Sequence, residues 1–389
     1  MPSGSTMLKP GSFLILLLAL FICISSCQIN SIGPDQATVI QMNPDEAKTI
    51  DLDSLFDEFT LVPLETNSQS LVGVLRGVQM LKNRILVQSL SAGSSELLIF
   101  DGRGKFIDKI KRGQGPGEVR SVQAFFADES DQTIWIADNN LLHRFTSSGQ
   151  YLEQFASPVF NIMSLIRVDE VFYGATLMGT ICSFSRDSLI WQKNCPKSEN
   201  IAGVITLPGL VSQSGIPLLF SSDFRTAYKI SHDTIIPSVI FEFGTSNLPL
   251  NGPVYNFQDP STLDHIVSKG YVTGLSNFRT FKGGYVFTGG CKNVRTTFLH
   301  VTNRHKTLIL NGLTVGLTMK PFPPVGTFQD FLIFKLSPDI LVDLYAGFKS
   351  AAASRDLITA QKRYPEIFGM LDTLDINANP VFLIGKLRR

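Results

Sequence analysis

The stretch Ile110–Val119, IKRGQGPGEV, has the residue types in this chain that most suggest chemistry. Glycines alternating with polar residues can cradle phosphate through free backbone amides, provided a strand precedes them and a helix N-terminus faces the anion. Neither Lys-Ser nor Lys-Thr follows these glycines, and Pro116 removes one amide donor. The continuation VRSVQAFFADESDQTIWIAD reads as two strands with a turn at Asp128–Asp131, not as a helix. The stretch is therefore a corner. Gly113, Gly115 and Gly117 allow positive φ and close backbone passage, while Pro116 stiffens the crossing.

Other constellations are weak. His143, His232, His265, His300 and His305 are scattered, and the cysteines lack zinc-site spacing, so no metal and no cofactor are expected. No G-x-S-x-G is present for a serine hydrolase. Glu118, Asp128, Asp138 and Asp330 contain enough carboxylates for sugar cleavage, but their spacing identifies no pair, so no catalytic residue is assigned. Asp138–Asn140 reads as a turn that caps its own amides. Cys182, Cys195 and Cys291 form an odd set: either Cys182 pairs with Cys195 or all three are buried thiols. Lys and Arg total 34 against 33 Asp and Glu, and this balance argues against nucleic acid as a partner.

The elements that would position these groups repeat. LLIFDGRGKFIDKI (Leu97–Ile110) aligns with LLHRFTSSGQYLEQF (Leu141–Phe155), matching Phe100 to Phe145, Gly104 to Gly149, Phe106 to Tyr151 and Ile110 to Phe155, each pair 45 positions apart. A β-branched or aromatic strand precedes each half, at Arg84–Leu90 and Thr133–Asn140. Degenerate copies follow, with turns at Ser185–Ser188, His232–Asp233 and Asn303–His305, and Gln329–Leu336 opens a sixth. Four-stranded units spaced by about 40–50 residues predict an all-β, six-bladed β-propeller. Asp57–Glu65 should close the ring against Asn379–Leu387, removing the exposed edge. The Ala-rich segment Ser350–Leu374 reads as a short C-terminal helical insertion, broken or restarted at Pro365 and packed on the ring. In such a ring the crossing at Ile110–Val119 joins the first two blades. Arg112, Gln114 and Glu118 are then the ligand-face candidates: they either brace the crossing, with Arg112 paired to Glu118, or contact a ligand.

The N-terminus predicts a compartment. Lys9 precedes the apolar run Phe13–Ile24, which is too short to span a bilayer and ends in Ser25-Ser26-Cys27. ICISSC resembles the lipobox of bacterial lipoproteins, so Cys27 is the expected lipidation site, and acyl chains there would anchor the protein to a membrane. The expected organisation is a signal over 1–27, a tether over 28–46 and a propeller over 47–389.

FTLVPLETNSQSLVG, LLIFDGRGKFIDKIKRGQGPGEV and NPVFLIGKL resemble the six-bladed β-propeller lipoproteins of Bacteroidetes, whose blades are styled like NHL repeats. The resemblance implies a secreted or lipid-anchored cell-envelope protein, and a rigid ring with variable loops suits a module that binds a glycan, a peptide or an envelope protein. The alternative is a propeller enzyme, either a carbohydrate-active hydrolase or lyase or an NHL-like lyase with single histidines gathered on a central metal.

Overall fold

A computed structural model describes residues 37–196, 201–202, 209–220, 225–249, 254–314, 318–319, 323–351 and 354–388. Thr38–Arg389 clusters as one compact unit built from six antiparallel sheets, the blades of a β-propeller. Blade one comprises Val74–Leu81, Arg84–Ser91, Ser94–Asp101 and Phe106–Lys109. Blade two comprises Ala124–Asp128, Thr133–Asp138, Leu141–Thr146 and Tyr151–Ala156. Blade three runs from Ile162–Val168 to Leu189–Asn194, blade four from Gly209–Gln213 to Thr234–Glu242, and blade five from Thr273–Phe281 to Lys306–Thr314. The innermost strand of each blade packs beside that of the next, and Pro324–Phe328 of blade six against Val74–Leu81 completes the circle.

Burial follows position in the blade. The second strand of blade two, TIWIAD, is buried throughout because blades cover both its faces. The outermost strand, YLEQFA, is half-buried or exposed along its length. The 45-residue repeat has a physical cause. Gly104 and Gly149 both take positive φ in the hairpin before the outermost strand, and each donates its amide to the residue three before it, Asp101 or Thr146. Across those hairpins Phe100 meets Phe106 edge-on at 5.7 Å and Phe145 meets Tyr151 at 5.8 Å. Such pairs contribute about 0.5–1.5 kcal/mol each beyond their buried area.

The ring closes as the sequence predicts. Phe56–Pro63 pairs antiparallel with Val381–Leu387, joining chain segments more than 300 positions apart in blade six. Asn379 locks the junction: its side chain donates to the carbonyls of Glu65 and Ser70, both at 2.7 Å, and accepts from the Val72 amide.

Two expectations need correction. The stretch expected as a tether is structured from Thr38 onward: Thr38–Gln41 adds a parallel strand to the outer edge of blade four, and Lys48–Asp51 does the same for blade five. The backbone edges of those two blades are thereby covered. The C-terminal insertion is longer than expected, with helices at Pro338–Ala351, Ser354–Arg363 and Pro365–Thr373, the last restarting at Pro365 as read. A helix outside that insertion, Pro260–Lys269, was not expected; it is capped by Asp259 and ended by Gly270 in the left-handed region. Of the two cysteine arrangements the sequence left open, the structure has the second: Cys182, Cys195 and Cys291 are buried thiols outside any disulfide.

The C-terminal helices pack on blades five and six, burying Tyr345, Tyr364, Phe368 and Leu371 against Phe56, Leu313 and Phe334. Arg363 and Tyr364 also hold the N-terminal segment, with Tyr364 donating to Asp53 at 2.8 Å and Arg363 pairing with Asp51 and Asp53. Among the described residues no helix is long and apolar enough to cross a membrane. The apolar run Phe13–Ile24 and Cys27 lie outside the described residues.

Candidate functional site

The six innermost strands surround a cavity of about 1410 Å³ that opens at the end where each turns into its second strand. Apolar side chains wedge between blades, so the strands keep their polar side chains and free backbone edges for the cavity wall and for one another.

The seams between blades are fixed by individual side chains. Gln79 of blade one donates to the Phe125 carbonyl at 2.9 Å and accepts from the Ala127 amide at 2.8 Å, clasping blade two. Arg167 of blade three reaches Asp128 at 2.9 Å and Asp131 at 3.1 Å, both from blade two. Ser164 accepts from the Leu210 amide of blade four at 3.0 Å. Thr280 of blade five donates to the Ser212 carbonyl at 2.8 Å, and Thr327 of blade six donates to the Thr280 carbonyl at 2.7 Å. Where blades six and one approach most closely, Gly326 leaves no room for a side chain: a Cβ there would stand 2.7 Å from the Val78 carbonyl oxygen. The cavity wall is held strand by strand.

Two arginines on this wall differ sharply. Arg167 binds three carboxylates, those of Asp128, Asp131 and Glu170, and lies over the Trp135 ring at 5.7 Å. Burial alone would lower its pKa, but hydrogen bonds and charge from Asp128 and Glu170 more than offset this and raise it. Arg279 of blade five donates to the Phe278 carbonyl at 3.0 Å and forms no ion pair among the described residues. Burial pushes its pKa down, with no neighbouring carboxylate to oppose the shift. At the mouth, Glu129 of blade two lies close enough to Gln329 of blade six, past blade one, for the amide to act on its carboxyl. Burial pushes the Glu129 carboxyl up, the Gln329 amide lowers it in part, and Asp128 raises it further.

The candidates from the sequence fall elsewhere. Arg112, Gln114 and Glu118 do not line the cavity. They lie on the crossing that leads into the start of the Ala124–Asp128 strand, whereas the cavity opens beyond that strand's end. The Glu118 carboxylate turns back to the Gly115 amide at 2.9 Å, leaving Arg112 exposed, so the expected Arg112–Glu118 pair is replaced by a local brace. Gly117 does take positive φ, and a Cβ there would meet Tyr151 at 2.9 Å, which explains the glycine as close passage against blade two. Of the four carboxylates considered, Asp128 and Asp330 line the cavity while Glu118 and Asp138 do not. The histidines do not converge: His232 and His305 sit in exposed turns, His265 is exposed on a helix, and His143 and His300 are buried in different blades. Among the described residues no group of three His, Cys, Asp or Glu side chains is placed to hold a metal.

Sequence reading missed Arg279, Arg167 and Glu129. Asn277 takes positive φ and the pairing with the second strand shifts register there, so alternation along TGLSNFRTF does not show which way Arg279 points. The pair Arg167–Asp128 joins residues 39 positions apart in different blades, which no local pattern reveals.

The architecture has solved counterparts. A Bacteroides fragilis NCTC 9343 protein described as exported superposes with a TM-score of 0.69 at 17% identity, covering 90% of this chain and 100% of that one. BamB from Moraxella catarrhalis aligns with a TM-score of 0.34 at 12% identity over 70% of this chain and 71% of its own. The WD40 β-propeller domain of Doa1 gives 0.34 at 15% identity over 65% and 72%. The first likeness shows the fold alone, and the other two are too loose to carry an argument. No curated protein matches the sequence. The match that spans the propeller is to a sequence family: over residues 37–386 the chain belongs to the family described as a domain of unknown function (DUF4934).

Proposed function

We propose that this chain is a lipid-anchored cell-envelope propeller that binds a glycan, a peptide or an envelope protein at the mouth of its central cavity. The observation that carries the reading is the cavity itself, about 1410 Å³ and walled by one pinned strand from each blade. Ligand sites are concave and few, and a rigid scaffold with variable turns at one rim suits recognition. The anchor rests on Cys27 and the apolar run before it. An envelope location agrees with the description of the Bacteroides fragilis counterpart as exported.

Ser130 stands exposed on the cavity rim, so Ser130→Trp narrows the mouth without altering charge. A glycan array and envelope co-purification should both give partners for the unaltered protein and lose them for Ser130→Trp. Partners retained at full strength by that variant would place the site elsewhere. For the anchor, Cys27→Ala should move the protein from the membrane pellet to the soluble fraction, and retention in the pellet would sink the lipidation reading.

One observation favours a hydrolase as the second reading: Glu129 combines a position at the mouth with a carboxyl pushed up by burial, as a general acid requires. Glu129→Gln should then abolish turnover of any glycan the protein binds while leaving binding intact.

A further inference from the structure

The cavity wall contains a half-buried guanidinium, Arg279, whose donors the fold leaves largely unused. A guanidinium has five N–H donors in a planar fork and stays charged in proteins. Arg167 shows what the fold does with such a group when its role is structural, surrounding it with Asp128, Asp131 and Glu170. Arg279 lines the same cavity, yet its one hydrogen bond goes to the carbonyl of the preceding residue. Arg279 is half-buried in that wall, and partly withdrawing a cation from water without a counter-charge costs free energy that a neutral side chain of similar size would avoid. The neighbouring strands do not remove that cost: their nearby polar side chains are committed to seams, Thr280 to Ser212 and Thr327 to Thr280. Arg76, Lys282 and Lys386 line the cavity as well, but Asp128, Glu129, Asp169 and Asp330 oppose them, so the case for an anion rests on Arg279 itself.

We infer that Arg279 is the anchor for an oxyanion, a carboxylate or phosphate group borne by the ligand of the central cavity. The planar fork matches either group through two parallel N–H···O bonds, and the low-dielectric wall strengthens such a pair. The downward pull of burial on the Arg279 pKa agrees with a charge that lacks its counterpart. This inference rests on the reading of the cavity as the ligand site and adds the chemical class of what enters it.

The experiment is calorimetric titration of the mature protein with three probes: inorganic phosphate, trigalacturonic acid and the methyl ester of trigalacturonic acid. At least one anion should bind and the neutral ester should not. Phosphate binding alone would assign a phosphate group, and trigalacturonate alone a carboxylate. Arg279→Gln should weaken the bound anion by at least about tenfold, the loss expected for a charge-assisted bidentate contact. Arg279→Lys keeps the charge without the fork, so it should weaken binding with an unchanged melting temperature; it also serves if the glutamine variant fails to fold. Failure of both anions to bind, or equal binding by unaltered protein and both variants, overturns the assignment of Arg279. If the ester binds as well as the acid and Ser130→Trp abolishes both, the cavity remains the site and only the anion inference falls. If Ser130→Trp leaves all binding intact, the cavity reading falls with it.

Discussion

Arg167 and Arg279 occupy comparable places, each on the innermost strand of a blade facing one cavity, and the molecule treats them in opposite ways. Blade three meets Asp128 and Asp131 across its seam, so the cation becomes a rivet between blades. Across its seams blade five pairs hydroxyls with carbonyls, and among the described residues no carboxylate pairs with its cation, which is left over. In one ring a residue type therefore serves cohesion where the neighbouring blade supplies carboxylates, and becomes available for recognition where it does not. A propeller can separate these tasks because each seam is fixed by its own small set of side chains.

The comparison can be broken by removing the counter-charge. Asp128 and Arg167 are both nearly buried, with side-chain exposures of 7% and 12%. Asp128→Ala should destabilise the fold by about 2–3 kcal/mol, because a nearly buried charged hydrogen bond is lost while Asp131 and Glu170 still hold Arg167. Urea unfolding followed by tryptophan fluorescence would read this, and a loss below about 1 kcal/mol would show the rivet to be ornamental.

A neutral seam provides the next comparison. Gln79→Ala removes both clasps on blade two and leaves the Phe125 carbonyl and Ala127 amide without them. The expected cost lies in the lower part of about 1–3 kcal/mol, because no charged hydrogen bond is lost. A cost equal to that of Asp128→Ala would make charge irrelevant to seam strength.

His143 sharpens the contrast from another side. It is 2% exposed, neither ring nitrogen has a hydrogen-bond partner, and Asp138 is 4.0 Å away. Burial pushes its pKa down, opposed in part by the Asp138 charge. Above the unfolded pKa of about 6.5 the ring is neutral in both states and stability is at its full value. As pH falls below that value the unfolded chain takes up the proton first, and stability declines until the depressed folded pKa is passed. His300, lowered by burial and by His305, acts in the same direction. Melting curves between about pH 7 and 5 should show the decline, at no more than about 1.4 kcal/mol per pH unit for each proton. His143→Leu should flatten it, and an unchanged pH profile would remove His143 from the account.

The smallest effect is expected at Arg279. Without ligand, Arg279→Met should change stability by less than about 1 kcal/mol or raise it, because a cation with one carbonyl partner is replaced by an apolar chain. A loss as large as that of Asp128→Ala would mean that Arg279 is a rivet after all.

Much of this was legible along the chain. Phe100, Gly104 and Phe106 recur as Phe145, Gly149 and Tyr151, because blades one and two share the same glycine hairpin and the same aromatic pair across it. The closing strands were legible too, since Asp57–Glu65 and Asn379–Leu387 are strand-like segments at opposite ends of a repeat array. The helix Pro260–Lys269 had its signals on the page, an Asp cap, proline in the first turn and glycine at the end, yet it sits among strands where helical spacing is not sought. The parallel strands Thr38–Gln41 and Lys48–Asp51 gave no such signal: each is four residues long and pairs with an edge some 200 or more positions away.

By itself, then, the sequence determined the blades, because strand alternation, turn glycines and aromatic wedges act over a few residues and repeat. Only the tertiary structure decided the cavity wall. Ring formation sets Arg167 beside Asp128 and leaves Arg279 without a carboxylate, and it carries Ile110–Val119 to the crossing at the opposite end of the innermost strand from the mouth. The physical reason is that counter-charges and cavities are made by neighbours in space. In a closed ring those neighbours come from different blades, tens to hundreds of residues apart.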